Sequence, residues 1–319
     1  MELDHVEAFL AIVRRGGFTR ASASLHLSQP AISRRIDLLE SELGAPLFER
    51  IRTGVVLTEA GRAFLPHAEA ALASLGDGVA SVEALRGTDR GAVTLAIVGT
   101  LASTTLTTCL RRFREAHPAI DLRLRTALSA EVSALVRRGD ATLGLRYEAD
   151  PDPDVVSSVI HDEPMLPVCS PRHRLARARR LEPSALAGEP WITFPPRRGA
   201  VREPYSSAID QCLAAAGLAA AEVIPIDSLT AQKRMVEAGF GLAVLPASSI
   251  DEELRAGTLT VLRALAMTAT IPVALIHRRR AFQSGATRAL IAALTAWPSQ
   301  PAARRPRRPR ARRPAARRR

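Results

Sequence analysis

The chain has 319 residues, 47% of them apolar, enough to bury a sizeable core in two or three domains. Its formal charge of +12 is concentrated at one end: residues 298–319 hold ten arginines and no acid, which leaves 12 minus 10, or +2, for the rest. The lack of a bilayer-length apolar run, the acidic start and the three widely separated cysteines (Cys109, Cys169, Cys212) point away from membrane-spanning, secreted, disulfide-stapled and zinc-finger classes, and towards a cytoplasmic globular protein with reduced thiols.

The first helix is expected over about residues 4–14, where Leu3, Val6, Phe9, Leu10 and Val13 recur at helical spacing before Gly16 and Gly17. A short run of small residues follows from Thr19 to Leu25, then a tight turn at His26 and Leu27. Residues 28–43 form the next helix. Ser28 or Gln29 can cap it, and Pro30 is tolerated in the first turn because its missing N–H would be unpaired there. Ile32, Ile36, Leu39 and Leu43 share its buried face, which leaves Gln29, Pro30, Ser33, Arg34 and Asp37 facing outward.

Two helices joined by a short turn, with Gln, Ser and Arg early in the second, have the layout of a helix-turn-helix. The chemistry suits base edges: Arg34 can donate two bonds to guanine, Gln29 can pair with adenine, and Pro30 or Ala31 can touch a thymine methyl. An amphipathic core helix with a solvated polar face would look similar in isolation. Residues 1–58 contain seven arginines and seven acids, so affinity for DNA must come from where the arginines sit. Two short apolar stretches around Arg52, Thr53 and Gly54 predict a hairpin, readable either as a plain exposed turn or as a wing whose Arg50 and Arg52 contact phosphates.

The run from Phe18 through Leu25, His26, Leu27, Ser28, Gln29, Pro30, Ala31, Ile32 and Ser33 continues in register through Leu39-Glu40, Leu43-Gly44, Pro46 to Arg50 and Leu57 to Gly61. Over about sixty residues this closely resembles the LysR-type transcriptional regulators. The resemblance implies a sequence-specific regulator that binds double-stranded DNA, with Thr19, Ser28, Gln29, Pro30, Ser33, Arg34, Arg50 and Arg52 as candidate contacts. It also implies a dimer or tetramer, RNA polymerase as a further partner, and a small-molecule effector.

Thr58 can cap a long helix in which Phe64, Ala68, Ala71, Leu75, Val79, Val82 and Leu85 form an apolar seam. In the resembled family this linker helix pairs two subunits. Gly76 and Gly78 each cost about 1 kcal/mol relative to Ala inside a helix, which leaves a bend or early break near Asp77 open. After a hinge-like segment at 87–91 the pattern changes to alternating strands and helices, the signature of a parallel sheet with helices on its faces.

The expected architecture is therefore an N-terminal all-α winged helix-turn-helix with a long linker helix, then a C-terminal α/β two-lobed domain similar to periplasmic solute-binding proteins. Its divisions are residues 1–58 for DNA binding, 59–90 for the linker helix and hinge, and 91–297 for effector binding, with the second lobe at about 165–265 starting in a strand near Met165. Residues 298–319, almost all Pro, Ala and Arg, are expected to be a disordered tail. Such a tail is either a phosphate-binding arm or an unselected extension.

Ligands of open α/β sheets sit beyond the carboxyl ends of strands. Thr100 and Ser103 follow one strand and Ser129 another, each at a helix start whose free N–H groups favour a small organic anion. Thr193, Phe194 and Val244 would face them from the second lobe, with Arg146 as a counter-charge; capping alone is the alternative for each hydroxyl. The sequence carries no nucleophile elbow, phosphate loop, dinucleotide motif or metal spacing, so neither catalysis, a metal nor a cofactor is expected.

Overall fold

A computed structural model of the chain describes residues 1–52, 54–85, 91–178, 181, 185–186, 188–195, 203–262 and 269–297. Thr53 of the expected hairpin, most of the hinge-like segment and the arginine-rich tail lie outside the described residues.

Three helices open the chain: α1 (Leu3–Arg15), α2 (Phe18–Leu25) and α3 (Gln29–Leu43). Gly16 ends α1 in the left-handed conformation, its N–H donating to the Ile12 carbonyl. Ser28 caps α3 by accepting from the Ala31 N–H, and Pro30 falls in the first turn, where a missing donor costs nothing. Phe9, Leu10, Ile12, Ala21, Ile32, Ile36 and Leu39 meet in a shared core. The rings of Phe9 and Phe48 lie 5.2 Å apart, as do those of Phe9 and Phe64. Leu3 and Leu43, expected in this core, stay outside it, 45% and 41% exposed, because each sits at a helix end with nothing packed over it.

Strands β1 (Phe48–Ile51) and β2 (Gly54–Leu57) form the expected hairpin, with Ile51 opposite Gly54. Thr58 then starts α4 (Glu59–Ala84) by accepting from the Gly61 N–H while its hydroxyl donates to the Pro46 carbonyl at 2.6 Å. The helix runs through Gly76 and Gly78 without a break. Along its second half Leu75, Val79, Val82 and Leu85 are all more than half exposed.

The remainder is built around a seven-stranded sheet whose strands lie in the order Thr260–Val261, Val155–Cys169, Ala269–Arg278, Leu143–Tyr147, Gly91–Val98 and Ile120–Ala127, with Ala243–Pro246 paired to Val155–Cys169. A separate two-stranded sheet pairs Trp191–Thr193 with Val223–Pro225. Strands β3 (Gly91–Val98), β4 (Ile120–Ala127) and β5 (Leu143–Tyr147) are parallel and form the first lobe with helices α5 (Thr104–Ala116) and α6 (Ser129–Arg137). Two long strands, β6 (Val155–Cys169) and β11 (Ala269–Arg278), are antiparallel neighbours that carry the chain between lobes. The second-lobe strand expected to begin near Met165 is thus the last third of β6. The polar run His161-Asp162-Glu163 concealed its continuity in the sequence, yet Glu163 is fully buried and pairs in register with Ile271.

The second lobe adds β7 (Trp191–Thr193), α7 (Pro204–Ala215), β8 (Val223–Pro225), α8 (Leu229–Glu237), β9 (Ala243–Pro246), α9 (Asp251–Ala256) and β10 (Thr260–Val261). Helix α10 (Gly285–Ala296) returns to the first lobe, where Leu290 and Leu294 join its core.

Candidate functional site: an exposed helix face and an inter-lobe cleft

Burial of Ile32, Ile36 and Leu39 fixes the rotation of α3 and turns its opposite side to solvent. On that side Gln29, Pro30 and Arg34 are exposed, Ser33 is half-buried, and Thr19 of α2 reaches across to Gln29 with its hydroxyl donating at 3.4 Å. Two adjacent arginines have different roles. Arg35 donates to Asp4 at 2.6 Å and so ties α3 to α1. Arg34 makes no hydrogen bond or ion pair among the described residues and points its full donor set outward. Arg50 lies 5.5 Å from the centre of the Phe18 ring, and both Arg50 and Arg52 are exposed on the hairpin beside α3. An exposed cation and an amide on a rigid helix, flanked by two further cations, suit a polyanion with readable edges.

The second site is a cleft of about 1160 Å³ between the lobes. Its first-lobe wall comes from the ends of β3 and β4 and includes Gly99, Thr100, Leu128 and Glu131; Thr193, Phe194, Tyr205, Asp227 and Lys233 face it from the second lobe. The chain has only two tyrosines: Tyr205 lines the cleft, and the fully buried Tyr147 packs behind it. Tyr147 of β5 and Tyr205 of α7 stack at 5.7 Å, and Phe194 meets Tyr205 edge-on at 5.3 Å. Burial pushes both phenols well above the ordinary tyrosine range, so they act as neutral hydrogen-bonding groups. Thr100 donates to the Tyr147 hydroxyl at 3.0 Å, and Tyr205 donates to the Val244 carbonyl at 3.3 Å.

Thr100, Thr193 and Phe194 therefore line the cleft, whereas four other residues of the expected effector site play different parts. Ser103 is buried and caps α5 through the Leu106 N–H. Val244 stands behind Tyr205 and offers only its carbonyl. Ser129 is buried, and its N–H is already taken by the Glu203 carboxylate at 3.0 Å. Arg146 is no counter-charge for a ligand, because its guanidinium is buried against Asp150 at 2.8 Å and the Ser133 hydroxyl at 2.9 Å.

Sequence reasoning missed Glu203, Tyr205, Asp227 and Lys233. Lys233 is the chain's single lysine, held by Glu253 at 2.7 Å and the Ser249 carbonyl at 3.0 Å. One signal was available: among so many arginines, a lone lysine is an outlier in composition.

Two family descriptions cover nearly the whole chain: "Bacterial regulatory helix-turn-helix protein, lysR family" over residues 3–62 and "LysR substrate binding domain" over 86–299. The regulator ShiR of Corynebacterium glutamicum is 33% identical over 248 residues, 76% of this chain and 82% of that protein. CfxR of Cupriavidus necator is 29% identical over 262 residues, 82% of this chain and 81% of that one. Among solved structures, a full-length OxyR variant from Pseudomonas aeruginosa superposes with a TM-score of 0.69 at 19% identity, covering 93% of this chain and 94% of that one. Full-length CbnR in complex with its target DNA gives 0.61 at 24% identity, covering 93% and 100%.

Proposed function

Because the chain belongs to the LysR-type transcriptional regulators, a DNA-binding family with an effector-binding domain, we propose which of its residues read DNA and what its cleft accepts. The outward side of α3 enters the major groove. Gln29, Ser33 and Arg34 meet base edges, Thr19, Ser28 and Pro30 support that face, and Arg50 and Arg52 straddle phosphates. The observation that carries this reading is the contrast between Arg35, consumed by Asp4, and Arg34, exposed without a partner among the described residues.

The working division is residues 1–58 for DNA, 59–90 for linkage, 91–297 for the effector and 298–319 as an added basic segment. The effector is a small organic anion. Its apolar part rests on Phe194 and Tyr205, and its charged end approaches the helix starts near Thr100 and Leu128. Subunits associate through the exposed stripe Leu75, Val79, Val82 and Leu85 of α4, since a seam this apolar is stable only when covered. The regulator acts in the cytoplasm by binding rather than catalysis, with RNA polymerase as a partner at the promoter.

Full-length protein incubated with a pool of random duplexes, followed by sequencing of the retained DNA, tests the assignment. A short inverted repeat is the expected product. Retention of every duplex alike would refute a sequence-reading role for α3.

A further inference from the structure

Two first-lobe helices open towards the cleft, and the start of each is met by a glutamate from the second lobe. Glu203, immediately before α7, accepts from the Ser129 N–H of α6 at 3.0 Å. Glu252 of α9 accepts from the Thr104 hydroxyl of α5 at 2.9 Å. The partners are 74 and 148 residues apart, so these are bonds between lobes and not local caps. Beside the Glu203 contact lies the Ser129 hydroxyl, fully buried and without a hydrogen-bond partner in the described structure. The first turn of a helix carries partial positive charge and unpaired N–H groups, which is why carboxylates settle there.

We propose that Glu203 and Glu252 form an internal latch: both tie the lobes together, and the Glu203 carboxylate takes the place at the start of α6 where an anionic effector would be held. The proposal rests on the reading of the cleft as the effector site. An incoming anion reaches α6 only by displacing Glu203, which makes Glu203 a determinant of which anions are accepted.

The other end of α6 gives the latch its reach. Just past the helix, Arg138 donates to Asp140 at 2.9 Å and lies 3.9 Å from Glu69 of α4, while Arg14 of α1 lies 3.6 Å from the same Asp140. A helix of nine residues thus begins at the latch and ends against the DNA-reading unit.

Hydrogen–deuterium exchange on full-length protein tests the latch without any knowledge of the effector. Removal of the carboxylate in Glu203→Ala should speed exchange in residues 129–132 roughly tenfold, while peptides of α10 stay unchanged as an internal control. Sodium acetate should restore slow exchange in that variant, sodium chloride at equal ionic strength should not, and the wild type should be indifferent to both. Glu203→Gln, whose amide oxygen can still accept from the Ser129 N–H but carries no charge, should give a smaller acceleration than alanine. Wild-type exchange rates in both variants, or an acceleration that acetate does not reverse, would overturn the proposal. A ligand screen that locates the effector elsewhere would refute the cleft reading and leave these exchange results standing.

Discussion

Asp77 and Arg278 form a two-bond ion pair, with guanidinium nitrogens donating to both carboxylate oxygens at 2.8 and 2.9 Å, and it fastens the linker helix α4 to the end of β11. Asp77 lies between Gly76 and Gly78, where the sequence left a bend open. The helix stays continuous there, and the pair supplies an anchor at its least favourable point. Both side chains are about one-fifth exposed, so each charge-assisted bond retains much of its strength. Asp77→Asn or Arg278→Ala should each cost about 1.5 to 3 kcal/mol. In a double-mutant cycle by urea denaturation the second substitution should then add almost nothing; simple additivity would mean that the pair contributes no coupling.

Arg34 and Arg35 should separate cleanly under mutation. Arg34→Ala should leave the unfolding midpoint unchanged while costing about 1 to 3 kcal/mol at one position of the preferred site. Arg35→Ala should lower stability and weaken binding to all sequences together, because it loosens α3 from α1. Titration of each variant against the selected duplex and its single-base variants measures this. Uniform weakening by Arg34→Ala would assign that residue to phosphate instead.

Three glycines of α4 predict opposite outcomes. A Cβ on Gly61 would stand 2.1 Å from the Leu47 carbonyl oxygen, so Gly61→Ala must push α4 away from the hairpin and should destabilise by about 1 to 3 kcal/mol. At Gly76 and Gly78 a Cβ meets nothing within 4 Å, and alanine should stabilise the helix by about 1 kcal/mol at each site. Thermal midpoints of the three variants decide the matter. A loss at Gly76 would show that another surface packs there in the assembled protein.

Acid should weaken the fold through Asp150. Burial acts to raise its pKa, but the Ser133 hydroxyl, the Asp152 N–H and Arg146 together outweigh it and hold the carboxyl below its ordinary value. Folding therefore favours the ionised form. The stabilisation is complete above the unfolded aspartate pKa of about 3.9 and disappears as pH falls through the lower native value. Urea midpoints measured between neutral and acid pH should fall less steeply for Asp150→Asn than for wild type in that acid range; parallel curves would remove Asp150 from the acid response.

Deletion of residues 298–319 should flatten the salt dependence of DNA binding without changing site preference, by about 0.9 in log–log slope for each phosphate the arginines neutralise. An identical slope for the shortened protein would leave the tail without a part in DNA binding.

The DNA-reading half was legible in the sequence because its determinants are local. Ser28, Pro30 and the spacing of Ile32, Ile36 and Leu39 set both the start and the rotation of α3. The cleft was legible only in part. Thr100 follows β3 and Thr193 ends β7, and both could be placed by topology, but Glu203 reaches Ser129 across 74 residues and Tyr147 meets Tyr205 across the lobes. No periodicity encodes such pairs. Arg146 was misjudged for a related reason: Asp150 and Ser133 neutralise and bury it through the packing of α6 on β5, which a linear pattern does not reveal.

The chain's solitary lysine has a practical consequence. Apart from the terminal amine, Lys233 is the one amino group available for acylation or imine formation, and it borders the inter-lobe space. A small amine-directed fluorophore or isotope tag placed there would report cleft occupancy from the native chain, with no engineered attachment point. Its rate of modification would itself register how firmly Glu253 retains the ammonium group.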